Sequence, residues 1–274
     1  MCCDRGVDFD TYERGLWAGR AAAYERGFAR LTAHTAGALL DAAGVAAGTR
    51  LLDVGTGPGV VARAAVARGA QVTAVDAEPS MAEAAARNVP GLDMRVAVLP
   101  DLPLPDDAFD AVTGNFLINA VGDPAAALAE LRRVLRPGGR LALTCWSYPP
   151  GPALGAAAEA IEAAGVPWPD DVPLPPFRVY SSPEAFAGLL AGAGLAGATA
   201  RLLSWEYRVD PEQWWQGVYL SGVGSNGVVI GRQDAATVAR IKNEFDRLVA
   251  RYAVGAGQVA LPAVAVLASG SRSG

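Results

Sequence analysis

Short apolar runs recur between residues 50 and 146, and amphipathic stretches separate them. The runs predict strands at residues 50–54, 71–75, 94–98, 109–113 and 140–146. The stretches between them predict a helix ending near residue 68 and further helices at residues 79–88 and 124–135. Strands and helices that alternate at this spacing are typical of a parallel sheet with helices on both faces. We therefore predict the α/β fold class.

Two regions flank this alternating core. Apolar residues spaced three and four apart predict a helical segment over residues 11–43, which Gly44 ends. Eight prolines fall within the 28 residues 149–176, around one Ala-rich helix. Beyond them we predict helices at residues 182–193, 211–220 and 234–252, and strands at 199–207 and 259–267. The expected organisation is a single domain with an N-terminal helical lid (1–45), a core (46–147), cap segments with the last two strands (148–268) and a frayed tail (269–274).

Composition and charge restrict the class of partner. The chain of 274 residues is 51% apolar and 19% charged, which favours a packed core over a disordered chain. Its net charge of -5 does not favour nucleic acid or an anionic membrane. No apolar run has the roughly 18 residues of a spanning helix, and the N-terminus lacks the pattern of a secretory signal. We expect a cytoplasmic protein with a small-molecule substrate, no nucleic-acid partner and no membrane partner.

Cysteine and histidine are too few and too scattered to indicate a metal site. The three cysteines, Cys2, Cys3 and Cys145, have no metal-ligand spacing, and His34 is the single histidine. We expect no metal, and we expect the adjacent Cys2 and Cys3 to lie on a loose terminus without a function.

A glycine-rich turn follows the first predicted strand, at residues 53–59 (DVGTGPG). Ligands of open α/β sheets bind at the carboxyl ends of the strands, and glycine allows close backbone approach there. The dinucleotide pattern fails, because Val60 stands where its last glycine should be, and the phosphate-loop pattern is absent. Asp76 ends the second strand, where a carboxylate can accept both hydroxyls of a ribose.

Four stretches in order over about residues 48–147 resemble the class I S-adenosylmethionine-dependent methyltransferases. They are residues 51–59 (LLDVGTGPG), 75–81 (VDAEPSM), 102–110 (LPLPDDAFD) and 131–141 (LRRVLRPGGRL). The sequence is most similar to the small-molecule group that includes ubiquinone-biosynthesis and natural-product enzymes. The resemblance implies a Rossmann-like fold with a mostly parallel seven-stranded sheet, an N-terminal helical lid and inserted cap segments.

The resemblance also implies S-adenosylmethionine as cofactor and S-adenosylhomocysteine as product. The cofactor-binding residues that it implies are Asp53, Gly55, Thr56, Gly57, Gly59, Asp76, Ala77, Met81, Leu99, Asp101 and Asn115. One match fails, because Ala97-Val98-Leu99 stands where the family often has Gly-Asp-Ala, whose Asp contacts the adenine amino group. Two alternatives are open: Asp101 substitutes for that Asp, or backbone and packing alone hold the adenine.

Methyl transfer from a sulfonium is an in-line displacement that depends mainly on alignment of the two reactants. A base is needed only where the acceptor must lose a proton. The candidates for a base or another catalytic residue are His34, Tyr12 and Tyr24, all in the N-terminal helical segment. Each could equally be an ordinary packed or surface residue of that segment.

Aromatic residues are concentrated after the fifth strand and suit a bulky, hydrophobic acceptor. The substrate-binding candidates are Trp17, Asn119, Trp146, Phe177, Tyr180, Trp214 and Trp215. The alternative is that most of these aromatic residues are core. Because Trp214 and Trp215 are adjacent on a predicted helix, we expect at least one to face a cleft, a partner or solvent.

Two functional hypotheses follow. The first is methyl transfer to a small natural-product acceptor, with oxygen favoured over carbon or nitrogen. The second is a protein that binds the cofactor without consuming it and acts as a cyclase, isomerase or binding protein. Macromolecular methylation is disfavoured, because residues 114–117 (GNFL) lack the Asn-Pro-Pro-aromatic signature. Relatives are often dimers, so a homodimer is considered beside a monomer.

Overall fold

The computed structural model describes residues 9–274, and the predicted role of Cys2 and Cys3 lies outside these residues. Its centre is one sheet in the order β3-β2-β1-β4-β5-β8-β6, with β7 paired to β8. The strands are β1 Arg50–Val54, β2 Gln71–Asp76, β3 Asp93–Val96, β4 Phe109–Gly114, β5 Leu135–Trp146, β6 Leu195–Val209, β7 Ala253–Gly255 and β8 Gln258–Arg272. Strands β1 to β5 are parallel, and β8 runs antiparallel between β5 and β6. The predicted α/β class is confirmed, with eight strands instead of seven because the three-residue β7 is added.

Helices cover the sheet and follow local capping signals. They are α1 Phe9–Trp17, α2 Ala21–Arg26, α3 Phe28–Thr32, α4 Ala36–Ala42, α5 Val60–Ala67, α6 Pro79–Asn88, α7 Pro124–Val134, α8 Pro152–Ala163, α9 Pro183–Gly192, α10 Pro211–Trp214, α11 Gly224–Gly231 and α12 Ala235–Val249. Asp123, Ser182 and Asp234 each accept backbone N–H bonds at a helix start. No described helix is long and apolar enough to cross a membrane.

The N-terminal helical segment is not one helix but a chain of short ones. Gly19 adopts a φ of +69°, which ends α1, and the chain turns again at Gly27 between α2 and α3. A Cβ at Gly27 would lie 2.5 Å from Val218 Cγ2, so glycine allows the chain to approach the C-terminal helices here. These turns fold the segment over the carboxyl ends of the strands.

The predicted frayed tail is wrong for residues 269–272, which belong to β8: residues 269–271 pair with β5, and Arg272 pairs with Leu195 of β6. Gly270 is buried beside β6, and a Cβ there would lie only 3.0 Å from Leu195 Cβ. The position therefore favours glycine over a larger residue. The Arg272 guanidinium then donates to the Leu135 carbonyl at 2.6 Å. The Ser and Gly residues that resembled a loose end are therefore the close-packed end of a central strand.

Candidate active site

A cavity of about 600 Å³ opens at the carboxyl ends of β1, β2, β4 and β5. Helices α1 and α2 form one wall, and residues 168–178 and 219–226 form others. This is the place where open α/β sheets bind ligands. The predicted cofactor edge and most of the predicted acceptor edge therefore share one cavity.

The glycine turn presents backbone to this cavity. Gly55 and Gly57 line it with φ values of +65° and +55°. A Cβ at Gly57 would meet nothing nearer than Tyr24 Cε1 at 3.7 Å, so the space above this glycine is open for a ligand. Gly59 does not line the cavity, because it is the N-cap of α5 and packs against Val89. A Cβ at Gly59 would lie 3.1 Å from Val89 Cγ2. The structure therefore gives Gly59 a packing role in place of the predicted cofactor contact.

Asp76 stands beside this glycine turn at the end of β2, with its carboxylate at the cavity wall. Its two oxygens accept from the Gly57 N–H at 2.8 Å and the Glu78 N–H at 2.9 Å. Burial raises the pKa of Asp76, and these two backbone bonds oppose the rise. Because each carboxylate oxygen can accept a second bond, Asp76 can still receive two ligand hydroxyls.

The neighbouring cavity wall is apolar. The cofactor-binding candidates Ala77, Met81 and Leu99 line it, together with Ala97 and Val98. Asp101 is exposed and lies outside the lining, so its predicted cofactor contact is corrected. The sequence left two ways to hold an adenine, by Asp101 or by backbone and packing alone. This geometry favours the second.

Asp53 and Thr56 lie behind the turn and do not line the main cavity. Asp53 is 1% exposed and accepts from the Thr56 hydroxyl at 2.7 Å and the Thr113 hydroxyl at 2.9 Å. Burial raises the pKa of Asp53 to about 6. Both residues line a small second pocket beside Gly55 and Gly57, and their hydrogen bond braces the glycine turn; their predicted contact with the cofactor stays a prediction.

Asn115, a cofactor-binding candidate, lines the cavity, but most of its hydrogen-bonding groups are bound to protein. Its Oδ1 accepts from the Thr35 hydroxyl at 2.6 Å and the Thr144 hydroxyl at 2.7 Å. Its Nδ2 donates to the Thr32 carbonyl at 3.1 Å. One amide N–H therefore has no protein acceptor among the described residues, while the rest of the side chain ties the N-terminal segment to β5.

Of the three catalytic candidates, Tyr24 alone lines the cavity. Its hydroxyl lies 3.3 Å from the Thr32 hydroxyl, and burial raises its pKa above the ordinary value of 10. His34 is exposed and stacks on Trp205 with ring centroids 5.0 Å apart, so its predicted role as a base is corrected. Tyr12 is half-buried against the C-terminal core and is not part of the lining.

The acceptor residues divide between cavity and core. Trp17, Asn119, Trp146 and Phe177 line the cavity, and the Trp146 ring stacks on Phe116 with centroids 3.9 Å apart.

Tyr180, Trp214 and Trp215 do not line the cavity, so their predicted substrate contacts are corrected. Tyr180 is half-buried and packs against the apolar core between β5 and α9. Trp214 and Trp215 are 1% and 2% exposed, so neither faces a cleft or solvent. Trp214 packs on Phe28 at 5.5 Å and Trp215 on Phe245 at 5.2 Å, because helices enclose this turn on two sides.

Sequence reasoning missed an acidic residue in the cavity wall. Glu13 of α1 is 9% exposed, lines the cavity and accepts from Trp17 Nε1 at 2.8 Å. Burial, with a smaller contribution from Asp10, raises the pKa of Glu13 to about 7. The available signal was its position one helical turn before Trp17 and beside Leu16, on the apolar face of α1.

Residues 52–143 match the family model described as "Methyltransferase domain". The demethylmenaquinone methyltransferase of Clavibacter sepedonicus is 44% identical over 110 residues, which are 39% of this chain and 44% of that protein. A ubiquinone/menaquinone biosynthesis C-methyltransferase of Geotalea daltonii is 38% identical over 109 residues, or 36% of this chain and 46% of that protein. The chain thus spans less than half of the length of these two relatives.

Two solved structures share the fold. The YcgJ protein of Bacillus subtilis superposes with a TM-score of 0.57 at 20% identity, covering 88% of this chain and 99% of that one. Phosphoethanolamine N-methyltransferase 2 of Haemonchus contortus, solved with S-adenosyl-L-methionine, superposes with a TM-score of 0.52 at 17% identity. The match covers 87% of this chain and 52% of that one. The predicted Rossmann-like class I methyltransferase fold is confirmed.

Proposed function

We propose that this chain is an S-adenosylmethionine-dependent methyltransferase for a small, largely hydrophobic acceptor, with transfer to oxygen; the match of residues 52–143 to a methyltransferase domain supports this. One observation carries the proposal. A single cavity joins the Gly55–Gly57 turn and Asp76 to the aromatic wall of Phe116 and Trp146. A sulfonium donor and an apolar acceptor can therefore meet in one enclosed space.

The residues present fit this cofactor. Asp76 has acceptor capacity for the two ribose hydroxyls, and Met81 and Leu99 offer an apolar face for the adenine. The open space above Gly57 leaves room for the methionine part beside the backbone. When bound, the cofactor supplies an activated methyl group together with its own leaving group.

The chain itself aligns the reactants and excludes water. In this proposal residues 9–45 are the lid, residues 46–147 bind the cofactor, and the segments after residue 148 select the acceptor. Helix α1 of the lid is fastened near both of its ends, since Gly19 N–H donates to Glu78 Oε1 at 3.1 Å and Gly122 N–H donates to Asp10 Oδ1 at 2.6 Å. Holding two reactants in register is worth roughly 7–11 kcal/mol of the barrier in well-aligned systems.

The acceptor that fits best is a hydroxylated aromatic compound of the quinol type. Trp146, Phe116 and Phe177 offer flat apolar surfaces to such a ring. The names of the two sequence relatives refer to menaquinone and ubiquinone biosynthesis, which supports a compound of this chemistry. Because one relative is named a C-methyltransferase, methylation of a ring carbon is the outcome that would correct our preference for oxygen.

The test is product formation with a panel of hydroquinones, naphthoquinols and catechols. We expect one S-adenosylhomocysteine for each methylated acceptor, with the methyl on oxygen by mass spectrometry and NMR. Conversion of an acceptor without consumption of S-adenosylmethionine would instead support a protein that binds the cofactor without using it. Failure to bind the cofactor at all would overturn the proposal. We also propose a cytoplasmic location, and sedimentation would decide between a monomer and a homodimer.

A further inference from the structure

We propose that Glu13 is the general base that removes a proton from the acceptor during methyl transfer. The inference rests on the proposed function and deepens it by assigning a catalytic residue of the acceptor half-site. It starts from the position of this carboxylate, which α1 carries into the wall of the cavity. Trp17 and Asn119, two residues of the acceptor edge, line the same cavity.

Glu13 has one oxygen held and one available. Trp17 Nε1 donates to Glu13 Oε2 at 2.8 Å, which fixes the direction of the carboxylate. Within residues 9–274 no other donor is bound to it, so Oε1 can accept a proton from a ligand. A buried carboxylate with a single neutral donor is poorly solvated and therefore a stronger base than a surface carboxylate.

The other ionisable groups of the cavity are less suitable. In the proposed function the remaining acceptor capacity of Asp76 is taken by the ribose hydroxyls, and Glu78 and Asp10 accept the bonds that fasten α1. Tyr24 stays protonated at neutral pH, because burial raises its pKa above 10. Arg14 and Arg178, which also line the cavity, are cations and cannot act as bases.

The step balances with one proton. The acceptor O–H bond breaks and its proton passes to Glu13 Oε1, which becomes neutral. The oxygen lone pair forms the new bond to the methyl carbon, while the electrons of the old sulfur–carbon bond remain on sulfur, giving a neutral thioether. Glu13 later returns the proton to water. Because the pKa of Glu13 is about 7, its basic form predominates only above that pH, so turnover should rise through about pH 7.

The experiment compares two acceptors in three proteins. The proteins are the wild type, Glu13→Gln and, as a control with the same change of charge, Glu83→Gln at an exposed position of α6. One acceptor is a phenol that is protonated at the assay pH, and the other is a nitrophenol that is already ionised there. S-adenosylhomocysteine affinity is measured by calorimetry for each protein.

We expect Glu13→Gln to lose roughly 10²-fold or more of its turnover with the phenol, the range expected for general base catalysis. It should retain turnover with the ionised nitrophenol and wild-type affinity for S-adenosylhomocysteine, and its pH profile should lose the rise near 7. Equal losses with both acceptors, or no loss with either, would overturn the role of Glu13 while leaving the methyltransferase proposal intact. A wild type that turns over neither acceptor nor any quinol would overturn both.

Discussion

We expect the buried carboxylate of Glu13 to make the opening of α1 dependent on pH. In the closed state its pKa is about 7, against an ordinary 4.5 when α1 is open to water. A difference of about 2.5 in pKa, at roughly 1.4 kcal/mol per unit, corresponds to about 3 kcal/mol. Since the pKa is raised in the closed state, this stabilisation is fully present below pH 4.5 and is lost as the pH rises through 7. The free energy of opening α1 should therefore fall by about 3 kcal/mol across that window.

Amide hydrogen exchange in α1 measures this free energy directly. Rates between pH 4 and 8 are corrected for intrinsic exchange and converted to opening free energies for residues 11–17. Glu13→Gln keeps an oxygen for the Trp17 indole but does not titrate, so its opening free energy should be flat with pH. Glu83→Gln should follow the wild type. A flat wild-type profile, or the same slope in Glu13→Gln, would refute the account of a buried titrating lid residue.

Three further outcomes follow from the site. His34→Ala should leave turnover unchanged, because His34 is exposed and outside the cavity; a large loss in kcat would contradict this assignment. Asn115→Ala should destabilise the protein to urea by about 1–3 kcal/mol, since the buried Thr144 hydroxyl loses its acceptor while the Thr35 hydroxyl keeps the Thr32 carbonyl; an unchanged midpoint would count against it. Trp146→Leu should raise KM for an aromatic acceptor without weakening the binding of S-adenosylhomocysteine. If calorimetry shows that S-adenosylhomocysteine binding weakens by the same factor as KM rises, Trp146 belongs to the cofactor site instead.

The core of the fold and one half of the site could be predicted because both depend on local pattern. Buried strands follow from apolar runs, the turn at residues 53–59 follows from its glycines, and Asp76 stands out by its position at the end of β2. The same pattern could not separate a residue that touches the cavity from one that braces the turn. Asp53 and Asp76 are both acidic residues at strand ends, yet hydroxyl groups enclose Asp53 while Asp76 reaches the cavity.

The acceptor half was harder to predict because its residues depend on how separate elements pack. A single predicted helix at residues 211–220 implies that one of Trp214 and Trp215 is left uncovered, whereas α3 packs on Trp214 and α12 packs on Trp215. Glu13 was missed for the opposite reason. A charged residue on a surface helix is ordinarily solvated, and only the folding of α1 over the sheet makes this one part of a cavity wall.

Calorimetric titration with S-adenosylhomocysteine tests the central claim, that Asp76 and the glycine turn form the cofactor site. We expect the wild type to bind at micromolar concentration, and Asp76→Asn and Asp76→Ala to bind roughly 10²-fold more weakly, because two hydrogen bonds to a charged group are lost or weakened. Asp101→Ala, which removes an exposed carboxylate outside the cavity, should bind like the wild type. Undiminished affinity in both Asp76 variants would contradict the claim.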